Sequence, residues 1–402
     1  MDKECCFIIA RKGVSGGTGT LSLRIFEEIH KRGFNCVYFC NCNNAPSTYA
    51  LIKDNTNTIV CESDVTYQQH FEKIKKKYKF FIFLTYSISE YMAINKLRDK
   101  NKSIKRVIYY VVHGYAFSLS PFVHVSRWRR MLFSFYNYVK NRRIVKKLIA
   151  NNSIIFMDET SVVETGKALR LKIPIDLIHL LPIKIKRYPE SEWNGLKRHV
   201  PFTIGTMCRM EFPMKAYVIG LIDSFRKLVN DLNYDLRLII VGDGPGEECL
   251  MASLDALPKE VRGRIEYIKN LPYSGIGDFY SQCDLALGMG TVLLDSANFN
   301  VLALPVAWYT NELKISNLFL YDVKTLSTNG TELRFEDVLK ELQQLSNDDY
   351  NLLIKTQYER VRDLYNIEDF VNLLLFDTIG DRPVLFKDTL EYRFCDLIHK
   401  NI

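Results

Sequence analysis

Short apolar runs alternate with amphipathic stretches along most of the chain. Leu21, Ile25 and Ile29 recur on one face of a predicted helix, and Gly33 is a residue of the kind that ends helices. Buried strands are predicted at residues 5–10, 37–40, 80–84, 107–112 and 154–157. Strands that alternate with helices predict a parallel sheet with helices on both faces.

A polar span at about residues 183–199 interrupts this pattern, and we interpret it as a connector between two domains. A second alternating series follows. Its strands are predicted at residues 202–205, 236–241, 264–268, 285–287 and 305–307, and its helices at 217–230, 246–257, 276–283 and 293–301. The predicted fold class is therefore α/β, with two doubly wound parallel-sheet domains at residues 1–185 and 186–384.

Composition agrees with two globular domains, since 47% of the 402 residues are hydrophobic. The ten cysteines lie mostly in apolar contexts, as expected of buried thiols in a reducing cytosol. Cys36, Cys40 and Cys42 lack the C-x-x-C spacing of a zinc site, so no metal is predicted. The sequence has neither a secretory leader pattern nor an apolar run of about 18 residues, and we expect a cytoplasmic protein.

The net charge of +8 is concentrated in one segment. No acidic residue occurs between Asp99 and Asp158, whereas basic residues are frequent there. In this segment, aromatic and basic side chains are interspersed over residues 122–149, which predicts a helix lying on an anionic membrane surface. A solvated basic helix with its aromatics in the core is the alternative. Nucleic-acid binding is not favoured, because no recognisable reading motif accompanies the charge.

The clearest candidate site begins where the strand at 202–205 ends. Arg209 follows this strand, and Lys215 stands at the head of the next helix. Two cations beside the free N–H groups of a helix start can bind a diphosphate. Where a diphosphate is the leaving group of a reaction, its charge grows as the bond breaks, so fixed cations there stabilise the transition state. The alternative is two surface cations without a ligand.

Two further turns at strand ends could bind parts of the same ligand. Gly242 and Asp243 belong to a Gly-Asp-Gly-Pro turn, where glycines allow a ligand to approach the backbone. Gly290 and Thr291 offer N–H and hydroxyl donors to phosphate, and Asp295 could accept hydrogen bonds from ribose hydroxyls. Asp295 could instead be an acid that stabilises a helix start.

The first domain offers a glycine-rich loop and a histidine. The loop at residues 13–20 includes Gly16 and Gly17, but its spacing does not match G-x-G-x-x-G, which argues against a nicotinamide enzyme. His113 ends a predicted strand, so it could face a ligand or be structural. Asp158 could line an acceptor site or cap the following helix.

These pieces, in this order, resemble the C-terminal half of GT-B glycosyltransferases of the GT4-type group. That group carries G-R-x-x-x-x-x-K, then G-D-G-P, then a glutamate-containing stretch that ends in G-x-P-V. The matching residues here are Arg209 with Lys215, Gly242 to Pro245, and Leu304-Pro305-Val306. The family usually has two glutamates eight apart, but Gly290 and Asn298 fall at those positions by counting.

The resemblance implies two facing Rossmann-like domains with an interdomain cleft, and a C-terminal helix at about 385–402 that packs back on the first. Arg209 and Lys215 would hold the donor diphosphate, and residues 268–271 would border the base. Across the cleft, Gly16 and Gly17 would approach the phosphates, while His113 would contact the transferred sugar. Asp295 would replace the ribose-binding glutamate. The carboxylate usually found near the sugar is not identified.

We therefore expect a hexosyltransferase that uses a nucleotide sugar, such as a UDP- or GDP-sugar, with retention of configuration and without a cofactor. The chain has no D-x-D motif, so we also expect no essential metal. The acceptor would be a lipid-linked or growing surface glycan, such as a capsule or lipopolysaccharide precursor, met at the inner face of the cell membrane. The alternatives are a sugar-nucleotide epimerase of the same fold and a non-enzymatic membrane- or RNA-binding protein.

Overall fold

The computed structural model describes residues 4–11, 17–40, 58–60, 64–112, 117, 127–189, 193, 196–328 and 333–381. The chain divides into two compact units. The first comprises Met1–Pro182 with Ile367–Ile402, and the second comprises Ile183–Asn366. Each unit is built on one parallel sheet, so the predicted fold class is confirmed.

The first unit contains a six-stranded parallel sheet in the order β3-β2-β1-β4-β5-β6. The order reverses beside β1, as in doubly wound sheets. The predicted strands are confirmed, and β3 is an addition. The strands are β1 (Cys5–Arg11), β2 (Asn35–Cys40), β3 (Thr58–Val60), β4 (Phe80–Thr85), β5 (Ile104–Val111) and β6 (Ile154–Phe156).

Five helices of this unit are α1 (Gly17–Lys31), α2 (Asp64–Ile74), α3 (Ile88–Lys100), α4 (Arg127–Ala150) and α5 (Glu159–Leu169). Helix α1 buries Leu21, Ile25 and Ile29 as predicted. At the start of α5, the backbone N–H of Ser161 donates to Asp158 Oδ1 at 2.7 Å. Asp158 therefore caps the helix, which was the structural alternative for this residue.

The C-terminal segment of the described chain packs on the first unit, where α13 (Ile367–Phe376) contacts α1. The buried guanidinium of Arg106 donates to the carbonyls of Ile379 at 2.6 Å and Leu374 at 2.9 Å. These bonds satisfy carbonyls near the end of α13 that have no helical partner. The sequence assigns residues 367–381 to the second domain, and this assignment is corrected. The predicted helix at 385–402 lies outside the described residues.

The second unit contains a five-stranded parallel sheet in the order β11-β10-β7-β8-β9. Its strands are β7 (Phe202–Met207), β8 (Leu236–Val241), β9 (Ile265–Ile268), β10 (Leu285–Gly288) and β11 (Leu302–Pro305). Its helices are α6 (Tyr217–Asn230), α7 (Glu247–Asp255), α8 (Lys259–Arg262), α9 (Ile276–Tyr280), α10 (Thr291–Asn298), α11 (Phe335–Gln344) and α12 (Asn347–Leu364).

The cysteines that the structure describes with their side chains are free thiols, and all but Cys249 are buried. Burial raises the pKa of Cys208 to about 11, although the charge of Lys215 opposes this rise. Within the described residues, no cluster of His, Cys, Asp and Glu side chains could hold a metal ion. No helix in this part of the chain is long and apolar enough to cross a bilayer.

Candidate functional site

The candidate residues of the second unit lie along one edge of its sheet. Strand β7 is central and pairs with β8 on one side and β10 on the other. Arg209 and Lys215 follow β7, Gly242 and Asp243 follow β8, and Gly290 follows β10. The carboxyl ends of parallel strands share one edge, which is where open α/β sheets bind ligands.

The position of Arg209 is fixed by hydrogen bonds that extend the pairing of β7 with β8. The N–H of Cys208 donates to Val241 O at 3.0 Å, and the N–H of Met210 donates to Asp243 O at 2.7 Å. Side chains along an extended segment alternate between its two faces. Cys208 and Met210 are buried, so Arg209 between them points outward, with 41% of its side chain exposed.

The glycines of the Gly-Asp-Gly-Pro turn let this turn pack against the segment that carries Arg209. Gly242 has φ +137, and a Cβ atom there would lie 1.8 Å from Cys208 O. A Cβ atom on Gly244 would lie 2.9 Å from Met210 O. The sequence predicts that these glycines admit a ligand. The structure shows a second reason for glycine here, because the turn lies so close to the backbone that carries Arg209 that a side chain would not fit.

Lys215 stands in the turn that leads into α6, and its own N–H donates to Glu211 O at 3.0 Å. Its ammonium group is near enough to Cys208 to lower the pKa of that thiol, although burial is the larger effect. The Arg209 guanidinium is paired with Glu211, with Nε and Oε1 3.3 Å apart. Sequence reasoning missed Glu211, although an acid two residues after a candidate phosphate ligand was a visible signal.

The loop after β10 leads directly into α10. Gly290 has φ +65, and its N–H donates to Leu326 O at 2.7 Å. No side chain caps α10, so its first N–H groups are not satisfied by a capping residue. Thr291 begins this helix and is partly exposed.

Asp295 lies on the same helix and is only 7% exposed. It is beyond the first turn of α10, which contains no acidic residue. The alternative explanation of Asp295 as an acid at the helix start therefore does not apply, because the dipole effect is confined to the first turn. Its predicted contact with a ribose stays a prediction.

Asn298 has a structural task at the other end of α10. Its Oδ1 accepts from the N–H of Lys186 at 2.8 Å, and its Nδ2 donates to Lys184 O at 3.1 Å. The hydroxyl of Tyr188 donates to Asn298 O at 2.9 Å. Asn298 thus holds the connector that opens the second unit. By counting, it stands where GT4-type enzymes have their second glutamate, and here an amide is needed to donate as well as accept.

The predicted border of the base lies at the end of β9. The N–H of Gly242 donates to Ile268 O at 3.0 Å, and the hydroxyl of Tyr267 donates to Gly242 O at 2.9 Å. Lys269 pairs with Glu247 at 2.9 Å. Tyr267 and Ile268 are therefore bonded to the Gly-Asp-Gly-Pro turn, and Lys269 is paired with the start of α7.

Of the candidates Gly16, Gly17 and His113 in the first unit, the structure describes only Gly17. Gly17 is exposed and is the first residue of α1, so residues 17–20 of the predicted loop are helical instead. Gly16 and His113 lie outside the described residues.

Helix α4 presents a mixed apolar and basic face to solvent. Its inner face consists of Ile144, Val145 and Leu148, which are fully buried. Phe135 is 68% exposed and Val139 46% exposed. One helical face carries the exposed side chains of Phe135, Val139, Arg142 and Lys146. Residues 122–126 of the predicted membrane-binding segment and the side chains of residues 127–134 lie outside the described part.

No protein-family model matches the sequence, and no curated protein is significantly similar to it. Solved structures do match. HepE from Anabaena, crystallised with UDP and glucose, has 13% sequence identity and a TM-score of 0.60, over 94% of this chain and 100% of that one. The chain has the GT-B fold.

Two other glycosyltransferase structures are similar in the same way. The lipopolysaccharide outer core galactosyltransferase WaaB has 16% identity and a TM-score of 0.55, over 93% of this chain and 99% of that one. An alpha-glucosyltransferase in complex with UDP-glucose and DNA has 14% identity and a TM-score of 0.55, with 93% and 98% covered. At such identities the likeness fixes the fold alone.

Proposed function

We propose that this protein is a glycosyltransferase that moves a hexose-type sugar from a nucleotide sugar to a glycan or a lipid-linked acceptor. The observation that carries the proposal is the placement of Arg209 and Lys215 after β7 at the carboxyl edge of the second sheet, where the neighbouring strand β10 leads into the uncapped start of α10. The similarity to structures with bound UDP and UDP-glucose supports a nucleotide-sugar donor.

In this reaction the bond between the sugar C1 and the diphosphate oxygen breaks, and a bond from C1 to an acceptor hydroxyl oxygen forms. The acceptor proton is released, and the nucleoside diphosphate leaves with an added negative charge. Arg209 and Lys215 would stabilise that charge, with Thr291 as a hydroxyl donor. These cations would take the role that a metal has in other transferases, so the proposed reaction is metal-independent. Retention of configuration is part of the same proposal.

For the acceptor, we propose a substrate held at an anionic membrane surface on the cytoplasmic side. The exposed face of α4 supports this proposal, because Phe135 and Val139 can enter the headgroup zone while Arg142 and Lys146 contact lipid phosphates. A lipid-linked glycan would then be presented beside the enzyme. The similarity to WaaB is consistent with a surface-glycan precursor.

The decisive experiment incubates the protein with a panel of UDP- and GDP-sugars and with lipid-linked acceptors. We expect release of the nucleoside diphosphate from one donor. Arg209→Ala and Lys215→Ala should each lower this release at least tenfold, whereas Lys227→Ala, an exposed cation near the far end of α6, should leave it unchanged. Unaltered release in both site variants would refute the proposed site, and isomerised donor without release would indicate an epimerase.

A further inference from the structure

A carboxylate lies inside the loop that carries both cations of the candidate site. Glu211 Oε1 is 3.3 Å from Arg209 Nε, with 38% and 41% of the two side chains exposed. Both groups can therefore be reached by a ligand from solvent, and the pair is of the exposed kind that exchanges partners readily.

Backbone hydrogen bonds fix Glu211 in the loop that connects Arg209 with Lys215. Its N–H donates to Arg209 O at 2.7 Å, and its carbonyl accepts from the N–H of Lys215 at 3.0 Å. Met210, between Arg209 and Glu211, is fully buried and anchors the segment. The carboxylate therefore cannot leave the neighbourhood of Arg209, even when its contact with the guanidinium is broken.

We propose that Glu211 is an internal counter-ion of Arg209 that the donor diphosphate displaces. This inference rests on the proposed function of Arg209 and Lys215. A diphosphate carries more charge than a carboxylate and offers paired oxygens to a guanidinium, so it displaces the Glu211 carboxylate from Arg209. The displaced carboxylate stays nearby and repels the ligand. Glu211 thereby weakens the binding of donor and product, which speeds release of the nucleoside diphosphate. It is an affinity-determining residue and has no part in the chemical step.

The test measures binding of UDP and GDP to the full chain by calorimetry. Glu211→Gln keeps the shape of the side chain and removes its charge. We expect the dissociation constant for the nucleotide that binds wild-type protein to fall about three- to fivefold, with a steeper dependence on salt. Glu248→Gln is the matched control, because it removes an exposed acid from the first turn of α7, just after the Gly-Asp-Gly-Pro turn. Its effect should stay below twofold.

A double-mutant cycle with Arg209→Met separates displacement from general repulsion. If the diphosphate replaces Glu211 on Arg209, the gain from Glu211→Gln should be clearly smaller in the Arg209→Met background, where only the repulsion between carboxylate and ligand remains to be relieved. An equal gain in both backgrounds would overturn the inference, as would unchanged or weaker binding by Glu211→Gln alone. If wild-type protein binds neither nucleotide, the proposed function itself fails. If it binds one and Arg209→Met weakens that binding, the proposed function stands whatever the effect of Glu211→Gln.

Discussion

Replacing Gly242 by alanine tests whether the Gly-Asp-Gly-Pro turn positions Arg209. The new Cβ atom would lie 1.8 Å from Cys208 O, whereas real contacts of this kind are essentially never shorter than 3.0 Å. The two segments would have to separate by about 1.2 Å, in an interior that is closely packed. Alanine would also be strained at φ +137, a backbone region that favours glycine.

The expected loss of stability in Gly242→Ala follows from the backbone strain and from the hydrogen bonds that the separation weakens. Backbone strain at such a position costs about 1–3 kcal/mol. The hydrogen bonds from Cys208 N to Val241 O and from Met210 N to Asp243 O would lengthen, each with a net contribution of about 1 kcal/mol. We expect the free energy of unfolding of Gly242→Ala to fall by about 3–5 kcal/mol. Because Arg209 is then displaced, nucleotide binding should weaken at least tenfold.

The assay combines urea denaturation with calorimetric titration of the nucleotide that binds wild-type protein. Gly244→Ala is a milder companion, since its Cβ would lie 2.9 Å from Met210 O. Gly33→Ala is the control for backbone strain alone, because Gly33 has φ +77 and no atom within 4 Å of an added Cβ. It should cost about 1 kcal/mol and leave binding intact. Wild-type stability and affinity in Gly242→Ala would refute the packing argument.

Three other predictions concern the frame of the molecule. Asn298→Asp should lower the melting temperature, because the carboxylate cannot donate to Lys184 O, whereas Asn317→Asp, at an exposed position outside the helices, should not. Equal melting of the two variants would contradict the anchoring role of Asn298. Arg106→Met should lower the free energy of unfolding by about 3 kcal/mol, because it leaves buried carbonyls unpaired. Urea denaturation measures this loss, with the exposed Arg142→Met as the control, and a loss no larger than in the control would refute the prediction. Burial raises the pKa of Cys208 to about 11, and only the thiolate reacts with iodoacetamide, so at about pH 8 the exposed Cys249 should be alkylated far faster than Cys208. Peptide mass spectrometry measures the two rates, and equal rates would show that Cys208 is not buried.

The hydrophobic pattern was sufficient for most of the strands because parallel strands are buried on both faces and read as continuous apolar runs. The strand at residues 236–241 and the helix at 217–230 were predicted with their observed bounds. The short strand β3 escaped notice, since three residues carry too little pattern. The residues of α13 were assigned to the second domain, because the contacts that join this helix to Arg106 on β5 are between residues far apart in the sequence.

Local sequence determined the α/β class, the two sheets and the loops that carry Arg209 and Gly242, because periodicity and turn residues act over a few positions. Only the tertiary structure decided what those residues contact. It showed that Gly242 packs on Cys208, that Glu211 engages Arg209, and that Asn298 holds the connector. The physical reason is that strand order and backbone approach bring these groups together, and neither is encoded within one local window.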